Sequence, residues 1–167
     1  MIKYYAFPPV SKDDVVIGIE KVSDMQDELA VLHKEHFAET EVLYRSEPID
    51  VDYEKYKTLE LEGKFVVFTA RANSRMIGYL TYYIFRGTHT KTVLEAREDA
   101  FFLTKECRGN GIAPKLLAYA EDRLGDLHCK YVGMSSKAPV GGPDLDSFLK
   151  RRGYKPVAVF YRKKLES

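Results

Sequence analysis

Cysteine, tryptophan and an excess charge of either sign are what this 167-residue sequence has least of. It carries only Cys107 and Cys129, and no tryptophan. Two thiols are too few to staple a chain of this length, which excludes a disulfide-rich secreted scaffold and fits a reducing, cytoplasmic setting. Twenty-six Lys and Arg stand against 25 Asp and Glu, a formal charge of +1. That balance lacks both the basic excess of a nucleic-acid binder and the acidity of a disordered tail. No run approaches the roughly 18 apolar residues of a membrane span, and residues 1–9 lack the basic and apolar regions of an export signal. No nucleic acid and no membrane are therefore expected as partners. The four His and two Cys show no ligand spacing, so no metal is expected either. There is no internal repeat, low-complexity tract or linker. With 45% hydrophobic residues, the expectation is a single domain over residues 1–167 with one sizeable core.

The periodicity predicts an α/β chain with a mixed sheet. Residues 14–22 read as a first strand through Val15, Val16, Ile17 and Ile19. Ser23 or Asp24 offers a cap for a helix reaching about Phe37, and residues 52–62 form a second helix that Gly63 can end. Strands over 64–71 and 75–85 flank the polar turn Ala72-Asn73-Ser74 and should pair antiparallel. After a polar excursion over 86–91, the apolar run Ala100-Phe101-Phe102-Leu103 marks a central strand over 97–105. Residues 111–124 repeat Ile112, Leu116, Leu117, Ala120 and Leu124 at helical spacing, with Pro114 tolerated in the first turn. A strand over 130–135, a helix over 144–152 stopped by Gly153, and a closing strand over 157–162 complete a sheet of six to seven strands with about four helices.

The chemistry concentrates where the central strand empties through a glycine-containing loop into the helix at Gly111. The first N–H groups of a helix lack intrahelical partners, the helix dipole adds partial positive charge, and Gly109 and Gly111 let an anion approach the backbone. Arg108 adds a full charge, and a pyrophosphate suits such a cradle best. No Gly-Lys-Ser or Gly-Lys-Thr is present for a triphosphate-hydrolysing loop, and Gly109-Asn110-Gly111-Ile112-Ala113-Pro114 lacks the third glycine of a dinucleotide fingerprint.

Arg108-Gly109-Asn110-Gly111-Ile112-Ala113 resembles the [Q/R]-x-x-G-x-[G/A] pyrophosphate loop of the GNAT superfamily of N-acetyltransferases. The closing helix with Gly153-Tyr154 and the element order over residues 15–164 are similar as well. A narrower resemblance is to acetyltransferase-like proteins encoded by bacteriophages and prophages. It rests on His36-Phe37-Ala38-Glu39, on Glu98-Asp99-Ala100 entering the central strand, and on Gly153-Tyr154-Lys155-Pro156. The superfamily resemblance implies a GNAT-like acyl-CoA N-acyltransferase fold and transfer of an acetyl group from acetyl-CoA, as co-substrate, to a primary amine. It implies that the backbone of Phe102 and Leu103 pairs with the pantetheine amides, and that Arg108, Gly109, Asn110, Gly111, Ile112 and Ala113 hold the pyrophosphate.

Attack of an amine on a thioester needs a base for the ammonium proton. Glu98 and Asp99 are the carboxylates at the start of the central strand, and strand parity leans to Asp99 unless a bulge intervenes. His36 and Glu39 are candidates for acceptor binding. Superfamily members often carry a tyrosine four residues before the glycine of the last helix, where this chain has Leu149. That departure leaves the thiolate's proton donor open among Tyr154, Tyr161, Ser135, Ser136 and water. It also keeps alive a catalytically degenerate acyl-CoA-binding or host-interaction protein on the same fold, without turnover. Cys107 reads as packing. The basic cluster of Arg151, Arg152, Arg162, Lys163 and Lys164 reads as solvated charge, with the adenosine 3′-phosphate or nucleic acid as the alternative partner. The Tyr-rich strand with Tyr79, Tyr82 and Tyr83 is sheet packing, one face of which lines an acceptor cleft if the resemblance holds. The apolar strands also offer an edge for a homodimer.

Overall fold

Asn73 and Ser74 take φ values of 50° and 68°, so the two-residue turn between the strongest β-forming stretches is of the kind whose twist suits a hairpin. That hairpin is the middle of the fold. The computed structural model describes residues 10–41, 47–136, 144–161 and 163–165. Among them a five-stranded sheet runs β1 (Val15–Ile19), β2 (Phe65–Ala72), β3 (Arg75–Gly87), β4 (Thr90–Leu103) and β5 (Tyr131–Gly133), in that spatial order. The first four strands are antiparallel, and β5 is parallel to β4. Helices α1 (Val22–Thr40) and α2 (Tyr53–Leu61) cover one face, and α3 (Ile112–Asp126) and α4 (Leu145–Arg151) the other.

Both faces of the central strands are buried, so β2 reads as a continuous apolar run whose alternate residues serve two cores. Phe65 and Val67 pack with Met25, Leu29 and Leu32 of α1. Val66 and Phe68 pack with Leu116, Leu117, Ala120 and Leu124 of α3. Gly78 is obligatory for this packing: a Cβ there would lie 2.6 Å from the Phe102 carbonyl oxygen and collide with the Leu103 side chain. Two satellite interactions fix the first helix. Arg71 is clasped by Glu20 and Glu28, and both carboxyls are held below their ordinary pKa, foremost by that hydrogen bonding. The N–H of Val22 is received by the Glu60 carboxylate of α2 at 3.3 Å.

Several expectations need correcting. The sheet has five strands rather than six to seven, because residues 157–161 form no strand and lie exposed, while Arg162 is outside the described residues. The polar stretch 86–91 is not a separate excursion: β3 and β4 continue through it as a long hairpin whose tip is mostly exposed, so its polar side chains are solvated. Helix α1 begins at Val22 with Lys21 at its cap, and Ser23 instead bonds the neighbouring Asp24. The Glu60 carboxylate replaces the missing local cap. No helix among the described residues is long and apolar enough to cross a membrane.

Candidate active site

The pairing of β3 with β4 slips once in mid-strand, Thr81 opposing Ala100 while Tyr82 opposes Glu98. Asp99 is the extra residue of this bulge, and a bulge reverses the alternation of side chains beyond it. Ala96 belongs to the core under α3, yet Ala100 and Phe102, at the same parity, face α1 and α2. Asp99 is thereby turned toward α2, where its Oδ2 accepts a hydrogen bond from the Tyr56 hydroxyl at 2.8 Å. Glu98 goes elsewhere: its Oε2 accepts from both the N–H and the hydroxyl of Ser135, at 3.0 and 2.6 Å. β5 pairs with β4 only over Glu95, Ala96 and Arg97, so the Glu98–Ser135 bridge sits where the two parallel strands have ceased to pair.

A cleft of about 550 Å³ opens over Asp99 and Ala100, walled by α1, α2 and residues 47–52. Its size suits a small-molecule ligand. His33, His36, Tyr56, Tyr79 and Tyr83 line it. His36 Nδ1 lies 2.8 Å from the Tyr79 hydroxyl, and the His36 ring stacks on Phe102. His33 Nδ1 lies 2.9 Å from the Tyr53 hydroxyl. Burial lowers the His33 pKa to about 4, so this ring is neutral at pH 7. Burial, reinforced by the Asp99 charge, pushes the Tyr56 and Tyr79 phenols well above their ordinary range. Tyr56 therefore acts toward Asp99 as a proton-bearing donor only.

Phe102 and Leu103 lead from this cleft into the glycine loop. Gly109 and Gly111 have φ of 80° and 85°, in the left-handed region, and Gly111 caps α3 with no side chain on the helix end. A Cβ on Gly109 would meet open space, and the first turn of α3 holds no acidic residue. The N–H groups of Ile112 and Ala113 thus meet the requirements of a phosphate cradle, and the residues present fit a pyrophosphate. A strap from the N-terminal segment braces the loop. Asn110 donates to the Val10 carbonyl at 2.8 Å, Lys115 to those of Lys12 and Val15, and the Lys12 side chain flanks Gly111.

Arg108 does not point its charge at this cradle. Its Nη1 and Nη2 form a two-pronged ion pair with Glu39 of α1 at 2.7 and 2.8 Å, its Nε donates to the Leu103 carbonyl at 2.9 Å, and its guanidinium lies over the Phe102 ring. Glu39 is held below the usual carboxylate range, foremost by the Arg108 hydrogen bonding. Of the two acceptor-binding candidates, His36 lines the cleft, while Glu39 ties α1 to the loop.

Most of the remaining candidates separate from the cleft. Leu149 is buried in the core beneath α3, Tyr154 donates to Glu121, and Tyr161 is exposed. Cys107 is buried and Cys129 partly so; both are free thiols. Of the basic cluster, Arg152 pairs with Glu121 away from the cleft, whereas Lys164 pairs with Glu47 on its wall. No group of three or more His, Cys, Asp or Glu side chains gathers as a metal site among the described residues. Two contributors escape sequence reasoning: Tyr56, which lies within the helix expected over 52–62 with no signal of its own, and the acidic wall formed by residues 47–52. The bulge that brings Asp99 to Tyr56 has no local signature.

A mixed sheet whose central strand ends in a glycine loop and a helix, beside a cleft carrying a carboxylate, is the frame of an acyl-CoA-dependent acetyltransferase. The chain belongs to the acetyltransferase (GNAT) family, which it matches over residues 29–154. No curated protein matches the sequence. Among solved structures, the chain resembles an aminoglycoside acetyltransferase from an uncultured soil metagenomic sample, in complex with sisomicin. The TM-score is 0.71 at 17% identity, covering 92% of this chain and 98% of that one. It also resembles a ribosomal-protein-alanine N-acetyltransferase from Brucella melitensis, with TM-score 0.68, 16% identity, and 91% and 99% covered. A third is glucosamine-6-phosphate N-acetyltransferase from Arabidopsis thaliana, with TM-score 0.68, 11% identity, and 91% and 99% covered. At these identities the likeness is one of fold.

Proposed function

We propose that this protein transfers the acetyl group of acetyl-CoA to a primary amine of a small molecule or protein by direct attack, with Asp99 as the base. The observation that carries the reading is the bulge: it delivers one carboxylate into the cleft on the same strand that runs into the glycine loop. The solved structures of like fold name an aminoglycoside, a ribosomal-protein alanine and an amino-sugar phosphate, so the fold by itself selects no acceptor.

Bound acetyl-CoA supplies an activated thioester. The N–H groups of the loop from Arg108 to Ala113 hold its pyrophosphate, and the β4 backbone at Phe102 and Leu103 pairs with its pantetheine arm. Backbone donors on β4 polarise the thioester carbonyl. An ammonium acceptor entering the cleft meets Asp99, whose carboxylate takes its proton and leaves the neutral amine that attacks. Tyr56 fixes the carboxylate's orientation through its hydroxyl. Direct transfer needs no covalent enzyme intermediate.

Leu149, buried in the core at the position where many family members carry a tyrosine, favours the second reading, a catalytically degenerate acyl-CoA-binding or host-interaction protein. Thiol release from acetyl-CoA with a panel of amines separates the two. Asp99→Asn should lower kcat by about 100-fold or more, the range of general-base catalysis, while leaving acetyl-CoA affinity near the wild-type value. An Asp99→Asn variant as fast as wild type removes the base assignment. Acetyl-CoA binding with no thiol release from any amine establishes the second reading.

A further inference from the structure

A diphosphate carries more negative charge than main-chain N–H groups and a helix dipole offset, so its cradle calls for a cation as well. Arg108, the cation within the loop, is committed elsewhere: its Nη atoms hold Glu39 and its Nε the Leu103 carbonyl. The lysines around the loop divide. Lys115, in the first turn of α3, turns its Nζ back to the carbonyls of Lys12 and Val15 at 2.9 and 2.7 Å. Lys105 lies close enough to Glu39 for its charge to help hold that carboxyl low. Lys12 has no such commitment: among the described residues its ammonium makes no hydrogen bond or ion pair, and the side chain is exposed.

Lys12 reaches the loop from 100 positions earlier in the chain, on a segment that is fastened there. It opens the short 3-10 turn Lys12–Asp14, which Ser11 caps by accepting from the Asp13 N–H. Asn110 grips the Val10 carbonyl before this turn, and Lys115 grips the carbonyls of Lys12 and Val15. Val15 itself is buried and begins β1 opposite Ala72. The Lys12 stem is thereby laid against the helix cap: a Cβ on Gly111 would stand 3.3 Å from Lys12 Cδ, and the ammonium lies two bonds beyond that carbon. Asp13 and Asp14 follow in the same turn, but a 3-10 turn advances a third of a revolution per residue, so their carboxylates leave it in other directions.

We propose, building on the acetyl-CoA reading, that Lys12 is a ligand of the coenzyme's diphosphate. The N-terminal segment lays this cation beside the glycine cap and replaces the charge that Arg108 gives to Glu39. The cradle then has two sides, the N–H groups of the β4–α3 loop and the ammonium of the strap.

The test titrates acetyl-CoA and acetyl-3′-dephospho-CoA calorimetrically into wild type, Lys12→Ala and Lys12→Arg. Lys12→Ala should weaken both ligands by about tenfold, the loss of one charge-assisted contact, and its remaining affinity should depend less on salt. Lys12→Arg, which keeps the charge, should stay within about threefold of wild type. The strap is held through main-chain oxygens, so Lys12→Ala should keep the wild-type Tm. Equal affinity in wild type and Lys12→Ala overturns the proposal and leaves the acetyl-CoA reading standing. So does a loss confined to acetyl-CoA, which would assign Lys12 to the 3′-phosphate, and so does a loss accompanied by a lowered Tm and an unchanged salt dependence, which marks a structural role. No heat with wild-type protein removes the diphosphate reading and this proposal with it.

Discussion

Replacing Glu39 by glutamine keeps the shape of the side chain that grips Arg108 and removes its charge. The two side chains are 11% and 22% exposed, so the pair is largely shielded from water but not sealed. Breaking a fully buried pair costs about 3–5 kcal/mol, and exposed pairs contribute about 0–1 kcal/mol. For two charge-assisted hydrogen bonds in this intermediate setting, with the amide still accepting one, about 1.5 kcal/mol is appropriate. In a chain of this size that lowers Tm by roughly 3–6 °C, measurable by calorimetry on the unliganded protein. Arg108→Lys should cost a similar amount, since a lysine cannot reproduce the fork. The double variant should then fall short of the sum by about 1 kcal/mol, because the two side chains act as one unit. Affinity for acetyl-CoA should weaken in each, the loop having lost its brace to α1. The opposite result is informative. If Glu39→Gln leaves Tm unchanged and tightens acetyl-CoA binding, Arg108 is a phosphate ligand that Glu39 restrains, and the assignment of Arg108 to bracing is wrong.

Two further predictions concern the two cores. His33 has its folded pKa depressed to about 4, so the unfolded chain, near 6.5, binds its proton first as pH falls. The stability this neutral ring contributes is therefore fully present above pH 6.5 and is lost progressively below it. By pH 4.5 the loss should be about 2.5 kcal/mol, and His33→Gln, which keeps a polar partner for the Tyr53 hydroxyl, should flatten that part of the stability profile. The groups around the ring are Tyr53, Tyr56 and Tyr79, none of which titrates in this window. Leu149→Tyr, which supplies the residue common in the family, should lower Tm by roughly 4–8 °C without raising kcat, because Leu149 is enclosed in the core and the extra volume and hydroxyl cost about 2 kcal/mol.

Where one segment alone determines an element, the sequence is informative. Asn73 and Ser74 announce the hairpin through their tolerance of positive φ, and the spacing of Ile112, Leu116, Leu117, Ala120 and Leu124 announces α3 with its buried face. The glycine loop is legible for the same reason, since Gly109 and Gly111 occupy the left-handed conformations that glycine adopts without strain. What depends on distant residues is not legible. The slip that exposes Asp99 to the cleft is set by how β4 pairs with β3, and the parity argument that leaned to Asp99 put it with Leu103 and Phe101, which face α3, rather than with Phe102. Arg108 finds Glu39 across 69 positions, so a charge that reads as a phosphate ligand is committed to another helix. The closing segment with Val157, Val159 and Phe160 has a strand-like composition, yet among the described residues 157–161 form no strand, because composition alone does not fix pairing.

The central claim is that the backbone between β4 and α3 grips the diphosphate of acetyl-CoA, and a calorimetric titration of that ligand tests it most directly. Wild-type protein should bind with measurable heat. Gly111→Val, which forces a β-branched residue to a φ of 85° beside Lys12, should weaken affinity by about tenfold or more while the protein remains folded by circular dichroism. Absence of heat with the wild type, or equal affinity in the valine variant, contradicts the account.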